Sequence, residues 1–361
     1  MKKRFLLCCS LAILPVMAQE SAVPDPETLQ QRAQGVFKLL PAVPGELEHK
    51  DGVVNQITPE KTELGKMLFF EPRLSSSWLV SCNTCHNLGL AGVDLLPTSI
   101  GHHWQRGPRN APTVYNAVFN SAQFWDGRAA GLAEQAGGPI QNPVEMASDP
   151  ERVVATLKSI PEYQERFKTA FPDQPEPVSF ENVTMAIEAF EAHLLTPNSA
   201  FDRFLGGDLK ALDEQEQAGL ALFMDKGCAG CHSGENVGGK GYFKFGVMKA
   251  PEANILPPED QGRFGVTHEV SDQYLFKAPS LRNVALTPPY FHSGAVDSLA
   301  EAVNVMASAQ LNIELSPQEV EDITAFLHTL NGEFPKVEYP ILPPSTPDTP
   351  PPDLEISPPA P

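Results

Sequence analysis

The sequence is short of positive charge: 26 lysines and arginines stand against 45 aspartates and glutamates, a formal net charge of −19 over 361 residues. A chain this acidic lacks the basic face that a nucleic-acid partner requires. Cysteine is also scarce, and 6 residues are too few to staple a chain of this length with disulfides. Beyond the N-terminus no apolar run is long enough to cross a hydrocarbon core of about 30 Å. Apolar residues themselves are plentiful. At 42% they exclude a disordered chain, and the length is enough for two domains with buried cores.

The N-terminus reads as an export signal over residues 1–18. Lys2, Lys3 and Arg4 precede an apolar stretch from Phe5 to Val16, and Val16-Met17-Ala18 supplies a cleavage site before Gln19. The stretch is too short for a membrane anchor, and Pro15 interrupts it. Cys8 and Cys9 do not follow the small residue that a lipoprotein cleavage site needs. Removing three positive residues takes the charge from −19 to −22. The compartment expected is the oxidising periplasm.

Four cysteines remain, in two copies of one motif: Cys82-Asn83-Thr84-Cys85-His86 and Cys228-Ala229-Gly230-Cys231-His232. In Cys-x-x-Cys-His two thiols add to the vinyl groups of one haem while the adjacent histidine reaches the iron, which is c-type attachment. A zinc site or two structural disulfides are the rival readings. With 9 histidines in the chain, finding one directly after both pairs by chance has a probability of about 0.0006, and neither rival requires it. Two covalent haems c are therefore expected.

The rest of the chain supports two cytochrome-like halves. Gly65-Lys66-Met67-Leu68-Phe69 precedes the first motif and Gly219-Leu220-Ala221-Leu222-Phe223 the second, the latter on a helix opened by a capping box from Asp213 to Glu216. After each motif the likeness returns. Pro112, Phe124, Trp125, Gly127, Leu132 and Glu134 align with Pro279, Phe291, His292, Gly294, Leu299 and Glu301 at a constant offset of 167, which points to an internal duplication. Helices are also expected from Ser148-Asp149-Pro150-Glu151, over Ser179 to Leu194, and from Ser316-Pro317-Gln318-Glu319. Nothing reads as a regular sheet. Residues 97–144 and 233–295, rich in Gly, Pro and Asn, read as long ordered loops around the haems, with room for a short hairpin. From Pro335 onward 11 of 27 residues are proline, which describes an extended, solvated tail.

One ligand of each haem is set by its motif, His86 or His232, so the chemistry depends on the opposite face. A helix starting near Asp297 carries Leu299, Val303 and Met306 on one side, with Met306 lying 74 residues after His232 as a methionine ligand would. Such a ligand raises the potential. A packed core methionine is the alternative. The position equivalent to Met306 in the first half is Pro139, which cannot bind iron. His102 and His103, 16 and 17 residues after His86 in a loop, are the nearest candidates there. A ligand on a loop is removable, and a removable ligand suits a reactive haem.

At residues 48 to 334 the sequence resembles the bacterial di-haem cytochrome c peroxidases. The likeness is carried by Pro97-Thr98-Ser99-Ile100-Gly101-His102, Gly107-Pro108-Arg109-Asn110-Ala111-Pro112-Thr113, Phe124-Trp125-Asp126-Gly127-Arg128, Pro143-Val144-Glu145-Met146 and Tyr290-Phe291-His292-Ser293-Gly294. The resemblance implies a mainly α-helical chain of two cytochrome c-like domains with little β structure. It further implies reduction of hydrogen peroxide to water, a small c-type cytochrome or cupredoxin as electron donor, and a homodimer. The expected organisation is a signal peptide at 1–18, an N-terminal extension at 19–47, a peroxidatic haem domain at 48–195, an electron-transfer haem domain at 196–334 and a disordered tail at 335–361.

By the same resemblance His102 is the displaceable ligand of the first haem and Met306 the distal ligand of the second. Glu145 is the acid–base residue, Gln135 its polar neighbour and Trp125 the residue between the haems. His292 lies near the second haem. Asn110, Thr287 and Pro289 hold a calcium ion through oxygen atoms. His49, His193, His268 and His328 have no motif around them and read as surface or satisfied core residues. Two rivals to the peroxidase reading remain. A non-catalytic di-haem electron carrier would keep two strong ligands on both irons. A relative that oxidises a tryptophan in a partner protein carries tyrosine where this chain has Met306.

Overall fold

The structure, a computed structural model, describes residues 24–354. The export signal expected at 1–18 lies outside the described residues, as do 355–361. The chain is mainly helical, and the described residues hold two small sheets. Glu46–Glu48 pairs antiparallel with Val54–Gln56, and Tyr242–Lys244 with Leu275–Lys277, the latter being the short hairpin allowed for in the second loop.

Each half is built on one close helix pair. Pro59–Phe69 packs against Phe180–Glu191, and Glu214–Asp225 against Pro317–His328. The glycine that opens each matching apolar run makes the contact. A Cβ on Gly65 would lie 1.7 Å from the Ala186 carbonyl oxygen, and one on Gly219 would lie 1.9 Å from that of Asp322. Only a residue without a side chain lets the backbones approach so closely. Four residues further along the partner helices, Phe190 and Phe326 close the two contacts from the same direction. The helix starts agree with their sequence signals. Asp149, Ser179, Asp213 and Ser316 each accept from a backbone N–H of the first turn, the last two within full capping boxes.

The offset of 167 is also a repeat of backbone conformation. Asn116 and Asn283 both have φ 61°, and each opens a short helical turn, Ala117–Phe119 and Val284–Leu286. The bridges Gln123 to Ala129 and Tyr290 to Val296 are equivalents, and within them Phe124 and Phe291 take φ 65° and 68°. A bulky residue in this left-handed region is uncommon. Finding it at both copies makes chance similarity of loop composition untenable.

The apolar residues from Leu64 to Leu194 gather into one core. Phe201, Phe204, Phe223, Phe326 and Leu330 belong to a second, which also takes Leu29, Ala33 and Phe37, and Phe245, Phe276, Tyr290 and Val296 belong to a third. The N-terminal helix, Pro26–Val36, therefore serves the second half although it precedes the first.

The C-terminal segment makes the reverse crossing and corrects the expectation of a solvated, disordered tail. Residues 335–354 form no helix or strand, but they lie along the first half. Tyr339 packs on Phe70 with ring centroids 4.9 Å apart. The buried Arg73 donates to the Pro343 carbonyl at 2.8 Å and to Ser345 Oγ at 3.0 Å. Thr346 Oγ1 donates to the Ser159 carbonyl at 3.0 Å, Thr349 and Ser159 share a hydroxyl contact of 2.7 Å, and the Asp353 amide donates to the Ser76 carbonyl at 2.8 Å. Proline composition does predict the extended backbone. The solvated state was the wrong inference, because an extended chain presents unpaired carbonyls that suitably placed arginines and hydroxyls can take up.

Candidate active site

The first attachment motif forms a single helical turn, Cys82–Cys85, at whose start the Ser81 amide donates to Thr84 Oγ1 at 2.9 Å. One turn brings side chains three apart to the same face, so both thiols point the same way. Burial pushes both up, Cys85 to about 11, and Glu191 adds its charge beside Cys82. Burial likewise lowers His86, against the carbonyls of Gly92 and Pro112, which favour its protonated form. The second motif repeats this. Burial pushes His232 down to about 4, against the carbonyls of Val237 and Pro279. Pro112 and Pro279 are an aligned pair of the repeat, so each motif histidine meets the same element. A neutral imidazole beside two thiols on one face is the donor set that c-type haem needs.

The space around the second motif fits the group as well. Cys228, Cys231 and His232 line a predominantly apolar cavity whose other walls include Phe223, Tyr290 and Met306. Met306 reaches it from the Leu299–Met306 helix, capped by Ser298, one residue beyond the start expected near Asp297. Leu299 and Val303 line the cavity with it, as their shared face required.

On the first side the His102 loop is strained and closely packed. His103 and Trp104 take φ 53° and 61°, the left-handed region. This turns the chain so that the imidazoles of His102 and His103 stack, centroids 3.7 Å apart. His102 is buried and His103 is not. Burial lowers the pKa of His102, as does neighbouring His103, while Asp353 of the tail acts in the opposite sense. The His102 amide donates to the Glu145 carbonyl at 2.7 Å. A Cβ on Gly101 would come within 2.2 Å of the Val144 carbonyl oxygen, so glycine is what lets this loop lie on the Glu145 segment.

The structure thus brings His102 and Glu145 together. Glu145 Oε1 accepts from Asn142 Nδ2 at 2.8 Å. Burial holds its carboxyl above the usual range, partly offset by Arg128, whose guanidinium stacks 3.4 Å from the Phe124 ring centre. Gln135 is half-buried on the Leu132–Gln141 helix, and no hydrogen bond joins its side chain to Glu145 among the described residues.

Trp125 borders the second cavity. Its indole Nε1 donates to the Asn110 carbonyl at 2.9 Å, and the Asn110 amide donates to the His292 carbonyl at 2.7 Å. His292, the duplicate of Trp125, is buried and stacks on Phe276 at 4.2 Å with its ring 6.2 Å from the indole. Burial pushes its pKa down to about 4. Asn110, Thr287 and Pro289, the expected calcium set, all border this same cavity. The Asn110 side-chain amide donates to the Leu96 carbonyl at 3.0 Å, and Thr287 Oγ1 donates to Val284 at 3.3 Å.

Three features, one half-buried and two buried, were not legible in the sequence. Arg109 grips Asp260 with two hydrogen bonds of 2.7 and 2.6 Å and Asp126 with one of 2.6 Å, joining segments 151 residues apart beside Trp125. Lys277 lines the cavity, and burial pushes its amine down to about 8. Glu188, also buried, accepts from His49 Nε2 at 2.7 Å and from Asn55 Nδ2 at 2.9 Å, so His49 is a partnered residue. A lone lysine or glutamate carries no sign in sequence that it will be enclosed, whereas Arg109 stood in a motif and lacked only its partner.

Comparison with known proteins agrees with the two haem c motifs and the helical scaffold. The profile of the di-haem cytochrome c peroxidases matches residues 59–210, and that of cytochrome c matches 216–331. A cytochrome c551 peroxidase of Pseudomonas aeruginosa is 57% identical over 324 residues, 90% of this chain and 92% of that protein. One from Nitrosomonas europaea is 50% identical over 300 residues, 82% of this chain and 88% of that protein. Among solved structures, a MauG-like protein associated with microbial copper homeostasis superposes with a TM-score of 0.72 at 29% identity, over 81% of this chain and 95% of that one. Two haem c motifs on a duplicated helical scaffold, with relatives this similar along nearly the whole length, place the chain in the di-haem cytochrome c peroxidase family.

Proposed function

We propose that this protein reduces hydrogen peroxide to water in the periplasm, taking electrons from a small c-type cytochrome or cupredoxin. Each turnover consumes one peroxide, two electrons and two protons and yields two waters. When bound, the haems supply the electron transfer and the cleavage of the O–O bond, with electrons entering at the second motif and passing to the first. His86 and His232 would hold them through their imidazoles, with His102 and Met306 as the further ligand residues. No helix among the described residues is long and apolar enough to cross a membrane.

The observation that carries the reading is the 2.7 Å hydrogen bond from the His102 amide to the Glu145 carbonyl. It ties the loop of the removable ligand to the segment of the acid–base residue, so His102 departs from a loop that lies on the segment carrying Glu145. Glu145 takes a proton from the near peroxide oxygen and returns one to the departing oxygen. Its burial, which keeps the carboxyl protonated to higher pH than usual, suits the second of these steps. Gln135 adds a polar group for the departing oxygen after a change of rotamer. Trp125, bonded to the Asn110 carbonyl, lies on the path between the two halves. Calcium at Asn110, Thr287 and Pro289 steadies that junction, and a homodimer is the working unit.

The test is peroxide turnover by the haem-loaded, calcium-supplemented protein with one haem reduced and a reduced c-type cytochrome supplied. Rapid turnover in the wild type, falling by about 10²–10⁴ in Glu145→Gln with the haem spectra unchanged, is the expected result. No turnover, with both haems fully ligated, makes the protein an electron carrier.

A further inference from the structure

The C-terminal tail ends its course at the His102 loop. Held by Arg73, Ser159 and Arg152, it delivers Asp353, whose amide is anchored on the Ser76 carbonyl at 2.8 Å. Ser76 in turn donates to the Met146 carbonyl at 2.9 Å, next to the residue that receives the His102 amide. The Asp353 carboxylate and one ring nitrogen each of His102 and His103 all lie within 4.8 Å of one another. Two buried ring nitrogens here, His102 Nδ1 and His103 Nε2, make no hydrogen bond.

A histidine that ligates a metal through one nitrogen nearly always gives its other N–H to a carboxylate, carbonyl or water, which fixes the tautomer and strengthens the ligand. His86 and His232 have backbone carbonyls near them, although their Nδ1 atoms, like that of His102, make no hydrogen bond. His102 has, within reach, a carboxylate brought from a position 251 residues away in the chain.

We propose that Asp353 is a positioning residue for His102: its carboxylate orients the imidazole as an iron ligand and holds the first haem closed. The tail is then the element against which the strained loop works when the site opens. This rests on the reading that His102 ligates the first haem, and the test separates the two.

The probe is azide binding to the first haem of the oxidised, fully haem-loaded protein, read together with the high-spin fraction by electron paramagnetic resonance. Asp353→Asn is expected to bind azide about tenfold or more tightly and to show more high-spin first haem, because the competing ligand is weakened. Asp353→Glu is expected to recover most of the wild-type behaviour, and the exposed tail variant Asp348→Asn to leave it unchanged. His102→Ala should open the site fully. If His102→Ala opens it and Asp353→Asn does not, the role of Asp353 falls and the ligand stands. If neither opens it, both fall. If Thr349→Ala, which loosens the tail, opens the site while Asp353→Asn does not, the tail acts as packing and the positioning role is refuted.

Discussion

Replacing Glu191 by glutamine should make the protein more stable, and increasingly so as pH rises. Glu191 is 4% exposed, its Oε2 makes no hydrogen bond, and it lies close enough to Cys82 to act on that thiol. Burial, with neighbouring Glu188 adding its charge, pushes its pKa from 4.5 up to about 8. Glu188 has its own partners in His49, Asn55 and the Ala133 amide, whereas Glu191 Oε2 has none. The folded protein therefore holds a proton that the unfolded chain releases. Below about pH 4.5 both states are protonated and the group costs nothing, and between there and about pH 8 stability falls by about 1.4 kcal/mol per pH unit. The loss is about 2 kcal/mol near pH 6 and about 5 kcal/mol near pH 8, an upper figure because the core can relax. Glutamine keeps the size of the side chain and removes the ionisation. In denaturant unfolding of the haem-loaded protein the variant should lie within about 1 kcal/mol of wild type near pH 5 and gain several kcal/mol near pH 8. Covalent attachment keeps the haem on the unfolded chain, so cofactor loss does not enter the comparison. A stability difference that is constant between those two pH values, or a variant weaker at the higher one, would refute the reasoning.

Two further predictions concern the scaffold. Gly219→Ala places a Cβ 1.9 Å from the Asp322 carbonyl oxygen, forces the two helices of the second half apart, and should cost about 1–3 kcal/mol or more in the unfolding transition of that half. A stability loss below about 0.5 kcal/mol would mean that the helices separate without strain. Arg282, fully buried, makes two hydrogen bonds of 2.9 Å to Asp202, so Asp202→Ala strands a buried charge and should lose about 3–5 kcal/mol, measurable by the same titration. Asp202→Asn, which keeps one acceptor, should lose less.

The covalent chemistry of this protein was legible in its sequence because it depends on local spacing. Cys82, Cys85 and His86 must sit within one turn to meet one haem, and the same holds for Cys228, Cys231 and His232. Helix starts at Asp149, Ser179, Asp213 and Ser316 are likewise decided by side chains that bond backbone three residues away. The repeat at offset 167 was visible because duplicated backbone conformation at Asn116 and Asn283, or Phe124 and Phe291, keeps duplicated residues.

What only the tertiary structure decided are the contacts between residues far apart in the chain. Composition gave the tail its extended form and could not say that Arg73, Ser159 and Ser76 would bind it, nor that Asp353 would stand beside His102. The N-terminal helix looked like a separate extension and is part of the second core through Leu29, Ala33 and Phe37. Arg109 could be seen in a motif, but not Asp260 as its partner, and Glu188 and Glu191 could not be told from solvated charges. The reason is physical. Spacing along the chain determines which atoms meet within a turn, whereas burial, and with it the charge state of a glutamate or the partner of an arginine, exists only once distant segments have packed.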